Sequence, residues 1–252
     1  MWITKKVDIW VLLSLLVIAP VISLTINADL LTSIILFYGL PSLWLSVRCF
    51  KAIKRAAIVS FLGTIIFIAV DYIATIEGGW VVTTLFSYRP LGILSVENSL
   101  FFFLGAYVVI MFYEHFSERH KHPRKTHLKL LVLLSALILT VFFLILYINP
   151  EILIIRYSYL WIIVFFLLIP DLLIFATHKK LILKFFKSNL YMIGLNFSFE
   201  LVALHLRQWS FPGHFIGWIY VFGLRFPIEE FIFYILAAGM TILVWYEFFE
   251  EE

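Results

Sequence analysis

The chain has 252 residues, 63% of them hydrophobic and only 14% charged, with a formal net charge of +3. A mean hydropathy of +1.03 excludes an ordinary soluble domain, in which apolar residues make up about half of the chain. A single cysteine, Cys49, excludes an internal disulfide and a thiolate metal cluster.

Apolar runs able to cross about 30 Å of hydrocarbon, roughly 20 residues each, follow one another along the chain. The first, 9–26, stands behind Lys5 and Lys6 in the outline of a signal peptide. It is expected to stay as a helix, because an equivalent run opens the second half. Runs at 30–47, 56–75 and 94–113 follow. A charged, His-rich segment from Glu114 to His127, with Pro123 inside it, then reads as a linker. Four more runs cover 129–148, 153–176, 186–205 and 226–246. The expected fold class is all-α: a polytopic membrane bundle of about eight helices as two four-helix repeats, 1–113 and 128–252, joined by the cytoplasmic linker 114–127.

Charge placement tests that count, since cytoplasmic loops hold the excess of Lys and Arg. With the N-terminus inside, only Arg89, Arg156, Arg207 and Arg225 of the 19 basic residues fall outside. The bias predicts an integral, multi-pass protein with both termini cytoplasmic. The basic surplus then lies beside anionic headgroups, so the lipid membrane is the expected partner and nucleic acid is not.

Sliding the sequence by 129 residues aligns Pro41 with Pro170, Lys51 with Lys180, Ala74 with Ala203 and Trp80 with Trp209. Asp71 and Glu200 fall in the same register. The register slips in the following loop, so that Gly92 to Asn98 faces Gly223 to Glu230, with Glu97 opposite Glu229 and Asn98 opposite Glu230. An even number of spans per half makes the repeats parallel, and sites in such proteins often lie at the repeat interface.

Asp71, Glu97, Glu200, Glu229 and Glu230 all converge on the non-cytoplasmic membrane level. An ionisable side chain in a membrane segment costs about 2.5–3.5 kcal/mol on insertion scales, which makes each a candidate for function. Pro227 followed by acids is also what a helix N-terminus favours. Capping accounts for Glu97 equally well, but not for two adjacent acids with a repeat partner. Glu229 and Glu230 point about 100° apart on a helix, so they cannot share one target atom. In a dry site, desolvation and a neighbouring carboxylate both favour the protonated carboxyl, which could protonate even an alkene.

Aromatic residues surround these acids. Trp80 and Trp209, nine residues after Asp71 and Glu200, would belong to the interfacial belt or to a π-lined pocket that stabilises a cation by about 0.5–2 kcal/mol per ring. His205 and His214 flank Trp209 and are candidates for proton transfer. His115, His120, His122 and His127 lack metal-ligand spacing and read as a solvated basic loop. No dinucleotide fingerprint, phosphate loop or nucleophile elbow is present.

At these residues the chain resembles the integral-membrane lycopene cyclases, found as paired small subunits or as fused single chains. The resemblance rests on Glu200-Leu201-Val202-Ala203, Trp209 and the Pro227-Ile228-Glu229-Glu230-Phe231 run in the second half. In the first half it rests on Asp71-Tyr72-Ile73-Ala74, Gly78-Gly79-Trp80 and Glu97 followed by Phe101 and Phe102. It implies a helical membrane bundle that converts the acyclic ends of lycopene into ionone rings, giving γ- and β-carotene without net redox change. Carried over, Glu229 and Glu230 become the acid pair, with Asp71, Glu97 and Glu200 as base or electrostatic partners. Trp80, Trp209, Pro227, Phe233, Asn98 and His205 are the substrate-binding candidates. No metal and no consumed cofactor is expected; the partner is a carotenoid from the bilayer, and a homo-oligomer is left open. Ser95 and Asn98 depart from the family's Pro-x-Glu-Glu pattern in the first half, and Glu200 stands where an Asp-like residue is expected in the second. The halves are therefore expected to be unequal, with the second donating the proton. Rival readings are a longer-chain carotenoid cyclase, a hydratase of the same alkene, and a proton-coupled transporter.

Overall fold

A computed structural model of the chain describes residues 2–117 and 128–248; the linker residues His120, His122 and His127 lie outside the described residues. It is all-α, 79% helical. Helices α1 (Trp2–Thr25), α2 (Leu30–Arg48), α3 (Ile53–Glu77) and α4 (Val96–Phe116) precede the linker. Helices α5 (Leu128–Ile148), α6 (Ser158–Thr177), α7 (Lys179–His205) and α8 (Ile228–Glu247) follow it. Among the described residues, seven helices are long and apolar enough to cross a membrane, the pattern of an integral multi-pass protein. The eighth long helix, α7, opens with Lys179, Lys180, Lys184 and Lys187 and falls short on composition.

Local chemistry moves several helix starts from the expected positions. α4 begins at Val96 because the Ser95 side chain accepts the Asn98 N–H at 2.9 Å, a helix N-cap. α6 begins at Ser158 instead of residue 153, since Pro150–Leu153 forms a separate 3₁₀ turn and Tyr157 is left-handed. α8 begins at Ile228, after extended Pro227 (φ −63°, ψ 151°) ends a strand. α4 also runs on to Phe116, so Glu114 and His115 occupy its last turns.

Two helices share one irregularity. α2 widens into a π-helical turn at Ile35–Gly39 ahead of Pro41, and α6 does so at Ile163–Leu168 ahead of Pro170. A proline lacks an N–H and its ring collides with the carbonyl four residues back, so the wider turn lets each helix continue.

Short strands tie the loops at the end of the bundle where the five acids lie. β1 (Val81–Val82) pairs antiparallel with β2 (Trp209–Ser210), setting Val81 opposite Ser210 and Val82 opposite Trp209. β3 (Trp218–Val221) and β4 (Leu224–Pro227) form a hairpin whose turn residues Phe222 and Gly223 are both left-handed, at φ 51° and 78°. The Gly213 N–H donates to the Gly78 carbonyl at 2.7 Å, and a Cβ on Gly213 would sit 2.7 Å from that carbonyl's carbon and oxygen. Backbone cannot yield as a flexible side chain can. Gly213→Val is therefore expected to destabilise the protein by about 1–3 kcal/mol or more, read as earlier thermal unfolding in detergent.

Sidedness is inverted relative to a soluble bundle. Large apolar residues such as Trp10, Val17, Leu133 and Leu173 face outward, while Asp8, Asp71, Glu97, Glu114, Glu200, Glu229 and Glu230 are buried. Lipid tails are as apolar as leucine, so nothing drives leucines inward; ionisable groups must find partners inside the bundle.

Candidate active site

Asp71 lies near the end of α3, where the chain turns back through Gly78 and Gly79. Its Oδ1 accepts from Trp80 Nε1 at 2.6 Å, Asn98 Nδ2 at 2.7 Å and Thr75 Oγ1 at 3.4 Å. The turn that delivers Trp80 is set by Gly78, left-handed at φ 84°, and by the Gly79 N–H bond to Ala74 O at 2.7 Å.

The end of α7 repeats this turn 129 residues later. Gln208 N–H donates to Ala203 O at 2.8 Å, Arg207 takes the left-handed position at φ 54°, and Trp209 Nε1 donates to Glu200 Oε1 at 3.4 Å. In place of an amide, this half presents the buried carboxyl of Glu230, close enough to Glu200 for the two to interact electrostatically, while Glu200 Oε2 has no hydrogen-bond partner. Tyr159, from the start of α6, donates its hydroxyl proton to Glu230 Oε2. Two buried carboxyls side by side would repel each other if both were ionised, and a proton shared by the pair relieves that repulsion. Asp71 is served by neutral donors throughout; the Glu200–Glu230 pair needs an exchangeable proton.

Glu97 and Glu229 do something else. Glu97 Oε1 accepts the backbone N–H groups of Leu85 and Phe86 at 2.6 and 3.1 Å, and Glu229 Oε1 accepts that of Ile216 at 2.7 Å. Each carboxyl holds the loop that leads into its own helix. Their second oxygens, both Oε2, are buried with no hydrogen-bond partner. The two adjacent acids of α8 thus diverge, one toward the loop and one toward the acid of α7.

Glu230 borders a pocket of about 50 Å³. Trp80, Tyr159 and Phe233 form one wall in successive edge-to-face contacts, with ring centroids 5.0 and 5.7 Å apart. Phe101, Trp209 and Tyr234 form another, with Trp209 6.0 Å from Phe101 and 6.3 Å from Tyr234. Behind them a polar chain is fixed by donor count. The Tyr38 hydroxyl donates to Asn196 Oδ1 at 3.0 Å, which leaves Tyr234 to donate to Tyr38 across 2.5 Å.

Of the substrate-binding candidates, Trp80, Trp209, Asn98 and Phe233 border this pocket with Glu230. Pro227 is buried at the α8 N-cap, where it ends β4. His205 is exposed at the end of α7 and borders no part of the pocket. His214 pairs with Glu77 at 2.8 Å, on the exposed side of the loops. Sequence reasoning did not single out Tyr159, Tyr38 or Asn196. No repeat partner flags them: a shift of 129 sets Leu30 opposite Tyr159, Leu167 opposite Tyr38 and Phe67 opposite Asn196. Comparison of the chain with protein-family models, with curated proteins and with solved structures returns no match.

Proposed function

We propose that the chain is an integral-membrane carotenoid cyclase that turns the acyclic ψ ends of lycopene into ionone rings, with Glu230 as proton donor. The observation that carries this reading is Glu230 at the wall of a small aromatic pocket, with the buried carboxyl of Glu200 close behind it. In the proposed reaction, Glu230 adds its proton to the terminal double bond, the cation is captured by the neighbouring alkene, and a ring proton returns to the carboxylate pair. One proton enters and one leaves, so neither redox change nor a consumed cofactor is required. Trp80, Tyr159, Phe101 and Trp209 would each stabilise the cation by about 0.5–2 kcal/mol where a ring face meets it. Aromatic walls packed against the end group would also keep out water, which would trap the cation as an alcohol.

The same reading takes all eight helices as spans in two parallel halves, with both termini cytoplasmic. It is supported by the matched Trp80–Asp71 and Trp209–Glu200 bonds and by the two π-helical turns ahead of Pro41 and Pro170. The 27 residues of α7 are long enough to cross, with its lysines extended to the cytoplasmic headgroups.

Expression in a lycopene-accumulating bacterium, with pigments resolved by chromatography and mass, tests the proposal. The expected product has lycopene's mass, shorter retention and a blue-shifted spectrum. A gain of water would indicate a hydratase, and unchanged lycopene would overturn the reading.

A further inference from the structure

A second cavity, of about 280 Å³, lies next to the acid pocket. Phe101, Phe102, Phe233 and Tyr234 border both. The larger cavity follows α4 from Phe101 to Ile110 and α8 from Phe233 to Trp245. At 1.5 Å of rise per residue these are roughly 14 and 18 Å, a passage directed from the acids toward the opposite end of the bundle.

Its polar side chains are already committed. Asn196 and Tyr234 belong to the Tyr38 network, Thr64 donates to Ser60 O at 2.8 Å, Thr241 to Asp171 at 3.3 Å and Trp245 to Phe166 O at 3.2 Å. An occupant would meet an apolar wall, which suits a hydrocarbon chain and offers little to a polar ligand.

Two glycines on this wall lack a packing reason. A Cβ built on Gly63 in α3 or on Gly105 in α4 would meet no atom within 4 Å. Glycine weakens a helix interior relative to alanine. Small residues in membrane helices normally let neighbouring backbones approach, and here there is no neighbour to admit. What the missing side chains preserve is open space in the cavity.

We propose that this cavity holds the unreacted conjugated chain of the carotenoid while its end group occupies the acid pocket, and that Gly63 and Gly105 keep the passage open. The inference rests on the cyclase reading for its substrate. A Cβ at either position meets no atom within 4 Å, the larger side chain has the cavity to extend into, and leucine favours the helix, so Gly63→Leu and Gly105→Leu are expected to fold. In the lycopene-accumulating strain, each should lower conversion about tenfold, the scale of the overpacking penalty the chain would meet. A second readout separates binding from chemistry: lycopene co-purifying per protein in detergent, measured by absorbance in a Glu230→Gln background. Pigment retained by Glu230→Gln and lost when Gly105→Leu is added supports the inference. Equal retention, or native conversion by both leucine variants, overturns it. Should the native chain leave lycopene unchanged, the cyclase reading falls, while lycopene retention by the native chain against Gly105→Leu still decides whether the cavity binds a polyene.

Discussion

Glu230→Gln is expected to lower cyclisation by about 10²–10⁴-fold, the usual contribution of a positioned general acid, while the protein remains folded in the membrane. Glutamine has the same shape, accepts from Tyr159 through its amide oxygen, and has an amide N–H to offer the neighbouring Glu200. Only the transferable proton is lost. Glu229→Gln should have little effect, because the amide oxygen still accepts the Ile216 N–H that Glu229 holds at 2.7 Å. Conversion per unit of membrane-embedded protein distinguishes the two variants. If Glu229→Gln abolished product and Glu230→Gln did not, the donor would be Glu229. The first half supplies a sterner control, since its Asn98 donates to Asp71 at 2.7 Å. Glu230→Asn combined with Glu200→Asp transplants that amide–carboxylate pair into the second half. It should keep the fold and abolish the reaction.

Different parts of this arrangement were legible in the sequence to different degrees, for physical reasons. Burial of acids near one membrane level followed from spacing and charge bias, and Asp71, Glu97, Glu200, Glu229 and Glu230 are all buried at one end of the bundle. The nine-residue spacing from acid to tryptophan became an indole-to-carboxyl hydrogen bond in both halves, because a helix end and a tight turn return the chain by that distance. The division of labour between Glu229 and Glu230 was legible only as divergence. Which one meets the loop depends on where Ile216 comes to lie, and that is fixed by the β3–β4 hairpin. The strands escaped detection because β1 and β2 have two residues each and lie far apart in sequence. Tyr159 is a tyrosine in an aromatic-rich chain until α6 delivers it to Glu230.

At the opposite end of the bundle, Arg48→Leu is expected to cost about 3–5 kcal/mol of stability, the penalty for stranding a buried ion. Arg48 counts in the charge bias of the sequence, and it also neutralises an acid inside the bundle. Asp8 in α1 is fully buried; its Oδ1 accepts Arg48 Nε at 2.8 Å and its Oδ2 pairs with His115 Nε2 at 2.8 Å. These bonds join α1, α2 and α4. Arg55 on α3 pairs in the same way with buried Glu114 on α4, at 3.0 Å. Removing the Arg48 guanidinium leaves the Asp8 carboxylate with His115 alone, in a place where water cannot solvate it. Adding Asp8→Asn to Arg48→Leu should recover most of the loss, since a buried amide needs hydrogen bonds but no counter-ion. The fraction of detergent-solubilised protein that stays soluble after heating measures both effects. Seventeen residues, or roughly 25 Å of helix, separate Asp8 from the end of α1 nearest the acid pocket. Cyclisation per folded molecule should therefore be unchanged at low temperature. Lost activity in soluble, folded Arg48→Leu protein would mean that the two ends of the bundle are coupled.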